Sequence, residues 1–204
     1  MSIPVQDFKE QVAELRRTQI LTGAAQIFAE KGFHKATTRE IAKAAGVSEG
    51  TIYNYFNSKR DLLIAMIELW AGQSLKRVID QPAADPRQFL RLILKDRYQL
   101  LQERGYLLGP IIAEIFADVD LRKEVYQRIV KPITAQVEQY LQVHIDAGHL
   151  RQIDPLIITR ALMGAMILNS ALKFTNLDPR YESIPADLLI EQLISLFLDG
   201  LLLE

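Results

Sequence analysis

The segment from residue 37 to residue 59, TTREIAKAAGVSEGTIYNYFNSK, constrains the fold of this chain more than any other stretch. Thr37 and Glu40 have the spacing of a capping box, which starts a short helix, and Gly46 suits the left-handed conformation that ends one. Ser48 is a good N-cap for a second short helix. Because two short helices joined by a turn that contains glycine form a helix-turn-helix, the sequence predicts this motif here.

The apolar residues of the segment indicate which sides of the two helices face inward. We expect the first helix to bury Ile41 and either Ala44 or Ala45, and the second to bury Ile52 and Phe56. The polar and aromatic side chains of the second helix are then left on its other faces.

Longer helices flank the motif on both sides. The preceding helix is predicted at about residues 8–31, with Gly32 as its stop, and the following one is capped by Ser58 with Asp61 and runs to about residue 80. The inner face of the preceding helix is expected to consist of Val12, Leu15, Ile20, Ala24, Ile27 and Phe28.

Helical periodicity continues through the rest of the chain, without the alternating pattern of a β-strand. Pro132 should kink or split its helix, because the proline ring removes a backbone hydrogen bond and clashes with the preceding turn. The fold class is therefore all-α, with about nine helices. The five helices of the C-terminal part are expected at about residues 86–104, 110–117, 120–147, 155–176 and 186–203.

The domain organisation follows from a break in the pattern and from the charge distribution. Pro82 and Pro86 interrupt the helical spacing, so we expect a helix-turn-helix domain at residues 1–80 and a helical regulatory and dimerisation domain at residues 81–204. Residues 1–60 hold nine Lys or Arg and six Asp or Glu. A modestly basic N-terminal region is what a protein that docks this end against phosphate would show.

The composition narrows the class of protein. The chain has no cysteine, which excludes disulfides, zinc–thiolate sites and thiol nucleophiles and favours a reducing cytoplasm. We find neither a secretory signal nor an apolar run long enough for a membrane span. No nucleophile–base pair indicates an enzyme, no cofactor is expected, and His144 with His149 predicts no metal site.

The second helix of a helix-turn-helix enters the DNA major groove by its N-terminal part. Tyrosine hydroxyls can contact phosphate oxygens there, and an asparagine amide can read adenine. The alternative is a mere packing corner. Because Tyr53, Asn54 and Tyr55 are consecutive, however, they cannot all point inward, and Arg39 and Lys59 flank them. The pattern therefore favours a surface for double-stranded DNA.

Residues 19–66 resemble the DNA-binding domain of the TetR family of bacterial regulators. The resemblance rests on Phe28 to Phe33, Thr37-Thr38, Ile41-Ala42, Gly46-Val47-Ser48, Gly50-Thr51, Tyr53, Tyr55-Phe56, Lys59 and Leu62. It implies an all-helical dimer, usually a repressor, whose divergent body binds an inducer. It further implies phosphate contacts from Thr38, Ser48, Tyr53, Tyr55 and Lys59. The positions nearer the bases would be Arg39, Gly50, Thr51 and Asn54.

The last predicted helix is apolar over roughly 220° of its circumference, about twice the arc that one core requires. The helix before it is also apolar almost all round. This predicts an isologous four-helix interface in a homodimer, unless the central helices cover both faces in a monomer. The expected interface residues are Ile158, Ala161, Leu162, Ala165, Leu193, Leu196, Phe197 and Gly200.

The effector is a small molecule that the sequence identifies only as at least partly apolar. Arg97 falls within the apolar arc of its helix, where it either clamps an acidic effector or forms a structural ion pair with Glu114. The other residues that are expected to line a cavity, unless they are plain core, are Tyr98, Phe116, Tyr126, Met166, Asn169 and Phe174.

The interpretation as a whole is a transcriptional regulator, most simply a repressor that a small molecule releases from a near-palindromic operator. The two recognition helices of the dimer should then lie about 34 to 36 Å apart, to enter successive major grooves. Two alternatives stay open: an activator, and a DNA-binding protein without a small-molecule effector.

Overall fold

The computed structural model describes residues 5–79, 85–174 and 179–199. Within those ranges the regular structure is entirely helical and contains no strand, which confirms the predicted all-α class. The α-helices are α1 (Val5–Lys35), α2 (Thr38–Ala44), α3 (Glu49–Tyr53), α4 (Lys59–Ile79), α5 (Pro86–Ala117), α6 (Val119–Val125), α7 (Lys131–Asp146), α8 (Pro155–Phe174), α9 (Pro179–Glu182) and α10 (Ala186–Asp199).

Helices α5 and α9 differ from the prediction. Helix α5 is continuous where we expected separate helices at 86–104 and 110–117, because a helix can retain interior glycines such as Gly105 and Gly109 at a cost of about 1 kcal/mol each. The single turn of α9 was not predicted, since four residues carry too little periodicity.

The predicted effect of Pro132 is confirmed. A π-helical segment at Tyr126–Val130 separates α6 from α7, and Pro132 lies in the first turn of α7. A proline fits the first turn because the N–H groups there have no partner within the helix. The long helix expected at 120–147 is therefore divided.

The chain forms two compact units. Unit 1 consists of Met1–Leu69 with Leu107–Val125, and unit 2 of Trp70–Tyr106 with Tyr126–Glu204. Helix α5 thus contributes its last turns to the unit that holds the helix-turn-helix. The sequence-based boundary at residue 80 did not anticipate this contribution. That boundary stays a prediction about function.

Unit 1 buries the C-terminal half of α1 against the short helices that follow. Ile20 is the first fully buried residue of α1, while Val12 and Leu15 are exposed. The predicted inner face is therefore wrong for these two residues, because α2 meets α1 only farther along the chain. The other buried apolar side chains of α1 to α4 include Leu21, Ala24, Ile27, Phe28, Ile41, Ala45, Ile52, Phe56, Leu62, Leu63 and Met66.

Unit 2 has a core contributed by α5, α7, α8 and α10. Each of two helices begins at an aspartate cap, Asp85 before α5 and Asp154 before α8, whose carboxylates accept from backbone N–H groups. Gly148, at φ 74°, ends α7 with a left-handed turn. The buried core residues are Phe89, Leu90, Leu94, Tyr98, Val137, Leu141, Ile145, Leu150, Ile158, Leu162, Met166, Leu189, Ile190, Ile194 and Leu198.

Within the described ranges, none of the helices combines the length and the apolar character that crossing a bilayer requires.

Candidate DNA-binding surface

The local signals of the helix-turn-helix act as the sequence predicts. The Thr37 side chain accepts from the Glu40 N–H while the Glu40 carboxylate accepts from the Thr37 N–H, which completes the capping box of α2. The Ser48 hydroxyl oxygen lies 3.0 Å from the Thr51 nitrogen and caps α3. Gly46 adopts φ 63° in the turn between them. These contacts fix the direction in which α3 leaves α2.

Helix α1 contacts the end of α2, just before the turn, through two residues that sequence reasoning missed. A Cβ on Gly23 would lie 2.8 Å from both the Cβ and the backbone nitrogen of Ala45, so only glycine allows the two backbones to approach this closely. The Gln19 side-chain amide donates to the Ala45 carbonyl at 2.6 Å. No sequence signal identifies this pair, because it depends on how α1 crosses the end of α2.

The side chains expected at the bases and phosphates lie mostly on the outer side of α2 and α3. Tyr53 is 52% exposed, and Arg39, Ser48, Gly50 and Asn54 are exposed as well. The side chains of Thr38, Thr51 and Tyr55 are half-buried. Ile52 and Phe56 point inward, as predicted.

Lys59 occupies a different place from the free phosphate contact that the resemblance implies. Its ammonium donates to the backbone carbonyls of His34 and Ala36, at 3.1 and 3.0 Å, and lies 4.6 Å from the centre of the Phe33 ring. Among the described contacts this leaves one N–H for an outside partner. Lys59 therefore ties the start of α4 to the end of α1, and any phosphate contact comes in addition.

Among the contacts of the described residues, the solvent side of α2 carries two cations without an ion-pair partner, Arg39 and Lys43, and one ion pair. Arg39 and Lys43 line a shallow depression of about 540 Å³, together with Glu49 of α3. Glu40 lines the same depression and bonds Lys31 at 2.6 Å; this lysine, with Thr37, holds the pKa of the Glu40 carboxyl below its usual value. The unneutralised positive charge therefore lies close to α3.

Two side-chain contacts fasten the end of α5, and Asp118 directly after it, to other helices of unit 1. His34 Nε2 lies 2.8 Å from the buried Glu114 carboxylate, and Arg60 pairs with Asp118. The pKa of Asp118 lies below its usual value, first because the Leu121 N–H donates to it and then because of the charge on Arg60. The last turns of α5 and the helix-turn-helix thus belong to one unit.

Comparison with known proteins decides the family. Residues 20–66 match the model described as bacterial regulatory proteins, tetR family. The chain is also 26% identical over 181 residues to the fatty acid metabolism regulator protein of Bacillus subtilis (strain 168), a match that covers 87% of this chain and 93% of that one.

Residues 20–66 are a DNA-binding domain of the TetR family.

Other relatives of the chain agree with this assignment. The HTH-type transcriptional activator FasR of Mycolicibacterium smegmatis is 36% identical over 110 residues, which are 48% of this chain and 50% of that protein. With this domain, the chain is a DNA-binding transcriptional regulator, as predicted.

Solved structures share the fold. The FadR regulator from Bacillus subtilis, crystallised in complex with stearoyl-CoA, has a TM-score of 0.78 and 24% identity, covering 90% of this chain and 98% of that one. The fatty acid degradation regulator FadR from Bacillus halodurans has a TM-score of 0.75 and 24% identity, covering 90% and 94%. The fold is therefore shared over nearly the whole chain.

The proposed effector residues are divided between the two units. Arg97 donates to Asp96 and to the Ala71 carbonyl, and Glu114 pairs with His34, so each of the two residues expected to form an ion pair has a different partner. The physical reason is that Asp96 lies beside Arg97 in a partly buried site, where it balances the charge. A clamp for an acidic effector would have to compete with Asp96.

The aromatic and polar candidates also differ in environment. Tyr98 and Met166 are buried in the core of unit 2, and Asn169 accepts from the Tyr181 hydroxyl. Phe116 is 69% exposed and Tyr126 is exposed as well, in contrast to the enclosed cavity that we expected. The side chain of Phe174 lies outside the described residues. Tyr181 was not anticipated, because α9 was not.

The residues predicted for the dimer interface differ in their exposure. Ile158 and Leu162 are buried in the core of their own unit, and so they are not available to a partner. The exposed side of α8 is displaced by one residue from the predicted side. The sequence does not reveal this, because a helix that is apolar almost all round gives no sign of which side faces inward. The exposed side carries Ile157, Ala161, Gly164 and Leu168.

Helix α10 presents a similar exposed side. Leu188 is exposed and Leu196 is 72% exposed, with Gln192 one turn from each. Leu193 and Phe197 are half-buried, as is Ala165 on α8. Gly200 lies outside the described residues. Ala161 and Leu196 thus remain the most accessible of the proposed interface residues.

Proposed function

We propose that this TetR-family regulator is a homodimeric repressor, which binds a near-palindromic operator and is released by a long-chain acyl thioester. The observation that carries the operator-binding part is the outward presentation of α3, with Tyr53 half-exposed beside the cations of α2. Tyrosine, serine and threonine hydroxyls at such a surface position the protein on phosphates, and the side chains at the tip of α3 read base edges.

Homodimerisation is supported by the exposed apolar sides of α8 and α10. Leu168 is 61% exposed and Leu196 is 72% exposed, and each lies at helical spacing from other apolar side chains of its helix. Large exposed apolar patches mark interaction sites, and two such helices from each subunit form a four-helix interface. A two-fold dimer then explains why the operator should be near-palindromic.

The effector class is supported by the relatives that extend through the body of the protein. The relative that is aligned over 87% of this chain is named a fatty acid metabolism regulator, and a structure of similar fold is a complex with stearoyl-CoA. In this chain the core of unit 2 is built almost wholly from apolar side chains. A ligand with a long acyl chain suits such a body, because few polar groups would lose their hydration when the chain is buried.

An activator is the second candidate, and one relative favours it. FasR, which is named an activator, aligns with about half of this chain. The two modes differ in the direction of the response and share the DNA-binding surface.

The test begins with selection of bound duplexes from a random pool by the full chain. Operator affinity is then measured by fluorescence anisotropy with stearoyl-CoA, with stearate and with coenzyme A alone. We expect the thioester to weaken binding at least tenfold and coenzyme A to have no effect. Operator affinity that no acyl thioester changes would contradict the effector class, and failure to select any duplex would contradict the function itself.

We also propose that the thioester acts as an effector and is not consumed, and that the protein works in the cytoplasm, where operator DNA is. Recovery of intact stearoyl-CoA after prolonged incubation with the protein is the expected result. Release of free coenzyme A would contradict it.

A further inference from the structure

Glu49 is an acidic residue at the centre of a surface that otherwise suits phosphate. It is the first residue of α3 and lies between Ser48 and Gly50, two of the positions that face outward. A Cβ on Gly50 would meet only the Ser48 hydroxyl, at 3.8 Å, so the surface beside Glu49 is open. A carboxylate here is repelled by phosphate, so any contact that it makes with DNA is with a base and not with the backbone.

The Glu49 carboxylate is held in place by a short chain of hydroxyls. The Thr38 hydroxyl donates to Glu49 Oε1, and the Thr38 oxygen lies 3.3 Å from the Tyr53 hydroxyl. Because a carboxylate only accepts and the Thr38 hydroxyl has one hydrogen, Tyr53 is the donor in the second bond. The chain thus runs from Tyr53 through Thr38 to Glu49.

This arrangement leaves acceptor capacity on Glu49 unused. A carboxylate can accept about four hydrogen bonds, and Thr38 is the single partner of Glu49 among the hydrogen bonds of the described residues. Arg39 and Lys43 line the same depression, yet neither forms an ion pair with Glu49 there. The side chain is oriented by one bond and has a second oxygen available.

The major groove offers two kinds of donor to such an oxygen. They are the amino groups of cytosine and of adenine. Beside the adenine amino group lies N7, an acceptor, which would face the second carboxylate oxygen unfavourably. Cytosine has no such acceptor next to its amino group. The chemistry therefore selects cytosine.

We propose that Glu49 reads a cytosine in each half-site of the operator, with Thr38 as the residue that positions its carboxylate. This inference rests on the proposed DNA-binding function and deepens it, since it assigns the base at one position. It also gives Thr38 a role other than the phosphate contact that the resemblance implies.

The experiment is a single-base scan of the selected operator with the full chain and with Glu49→Gln. With the wild-type chain, replacing one cytosine per half-site should weaken binding about tenfold. With Glu49→Gln the penalty should fall below about twofold, and adenine should become acceptable there, because an amide can bond both N6 and N7 of adenine. Glu30→Gln is the matched control, since Glu30 is exposed on α1 and bonds Gln26.

The outcomes separate this inference from the proposed function. A chain that selects an operator with no position where cytosine is required overturns the assignment, whatever the variant does. The assignment also fails if Glu49→Gln binds and keeps every base preference of the wild type. In both cases the DNA-binding function stands. If the wild-type chain selects no duplex, both the base assignment and the proposed DNA-binding function are contradicted.

Discussion

Because α1 closely approaches the turn before α3, Gly23→Ala is a sensitive test of how α1 supports the helix-turn-helix. The added methyl would lie 2.8 Å from Ala45 Cβ, where carbon atoms normally stay about 3.5 to 4.0 Å apart. Either α1 or the end of α2 must therefore move by roughly 0.7 Å or more. The Gln19 bond to the Ala45 carbonyl, at 2.6 Å, restrains that movement.

Two effects of opposite sign decide the result. Alanine is favoured over glycine within a helix by about 1 kcal/mol, whereas forcing a methyl into a packed site costs about 1 to 3 kcal/mol. Because the clash involves backbone atoms and not a flexible side-chain end, we expect the cost to prevail. The free energy of unfolding should fall by about 1 to 2 kcal/mol, and Tm by roughly 2 to 8 °C for a chain of this size.

The matched control is Gly72→Ala. Gly72 lies in α4, and a Cβ there meets nothing within 4 Å, so the same substitution should stabilise the protein by up to about 1 kcal/mol. Urea unfolding followed by circular dichroism, at equal protein concentration, measures both variants. Gly23→Ala should also weaken operator binding under conditions in which the variant is still fully folded, because Ala45 precedes the turn into α3. A Gly23→Ala protein as stable as Gly72→Ala would refute the reasoning.

Three further substitutions test other parts of the molecule. Leu168→Glu should raise the Kd of the dimer more than 100-fold, because each charge would be desolvated at the interface, while Val143→Glu, also at an exposed apolar position, should leave the dimer intact; sedimentation velocity separates these results. Lys59→Met should lower the free energy of unfolding by about 1 kcal/mol, because two carbonyls lose a cationic donor, and thermal denaturation that shows no loss would contradict this. Burial, followed by the proximity of His149, lowers the pKa of His144 below 6.5, so the folded state binds fewer protons than the unfolded chain and loses stability as the pH falls through 6.5. His144→Phe should flatten that acid-side loss in unfolding measurements between pH 5 and 8, and an unchanged slope would count against it.

The helix-turn-helix could be predicted from the sequence because its signals are local. The capping box of Thr37 with Glu40, the Ser48 cap and the turn glycine each act within four residues, and all three are present in the structure. The inward residues Ile52 and Phe56 follow from helical spacing alone.

The features that were missed depend on contacts between distant parts of the chain. Gly23 supports the motif through a neighbour 22 positions later, and Lys59 finds its carbonyl partners more than 20 residues before it. The side of α8 that faces the core could not be predicted for a different reason. When a helix is apolar on every side, as between Ala161 and Leu168, periodicity contains no information about which side faces the core.

The central claim is that α3 is presented outward twice in each assembly. Hydroxyl-radical footprinting of the selected operator tests it most directly. Two symmetric protected regions, with centres separated by about one turn of the duplex or a multiple of it, are the expected result. A single protected region, or no protection at low salt with a homogeneous folded protein, would contradict the account.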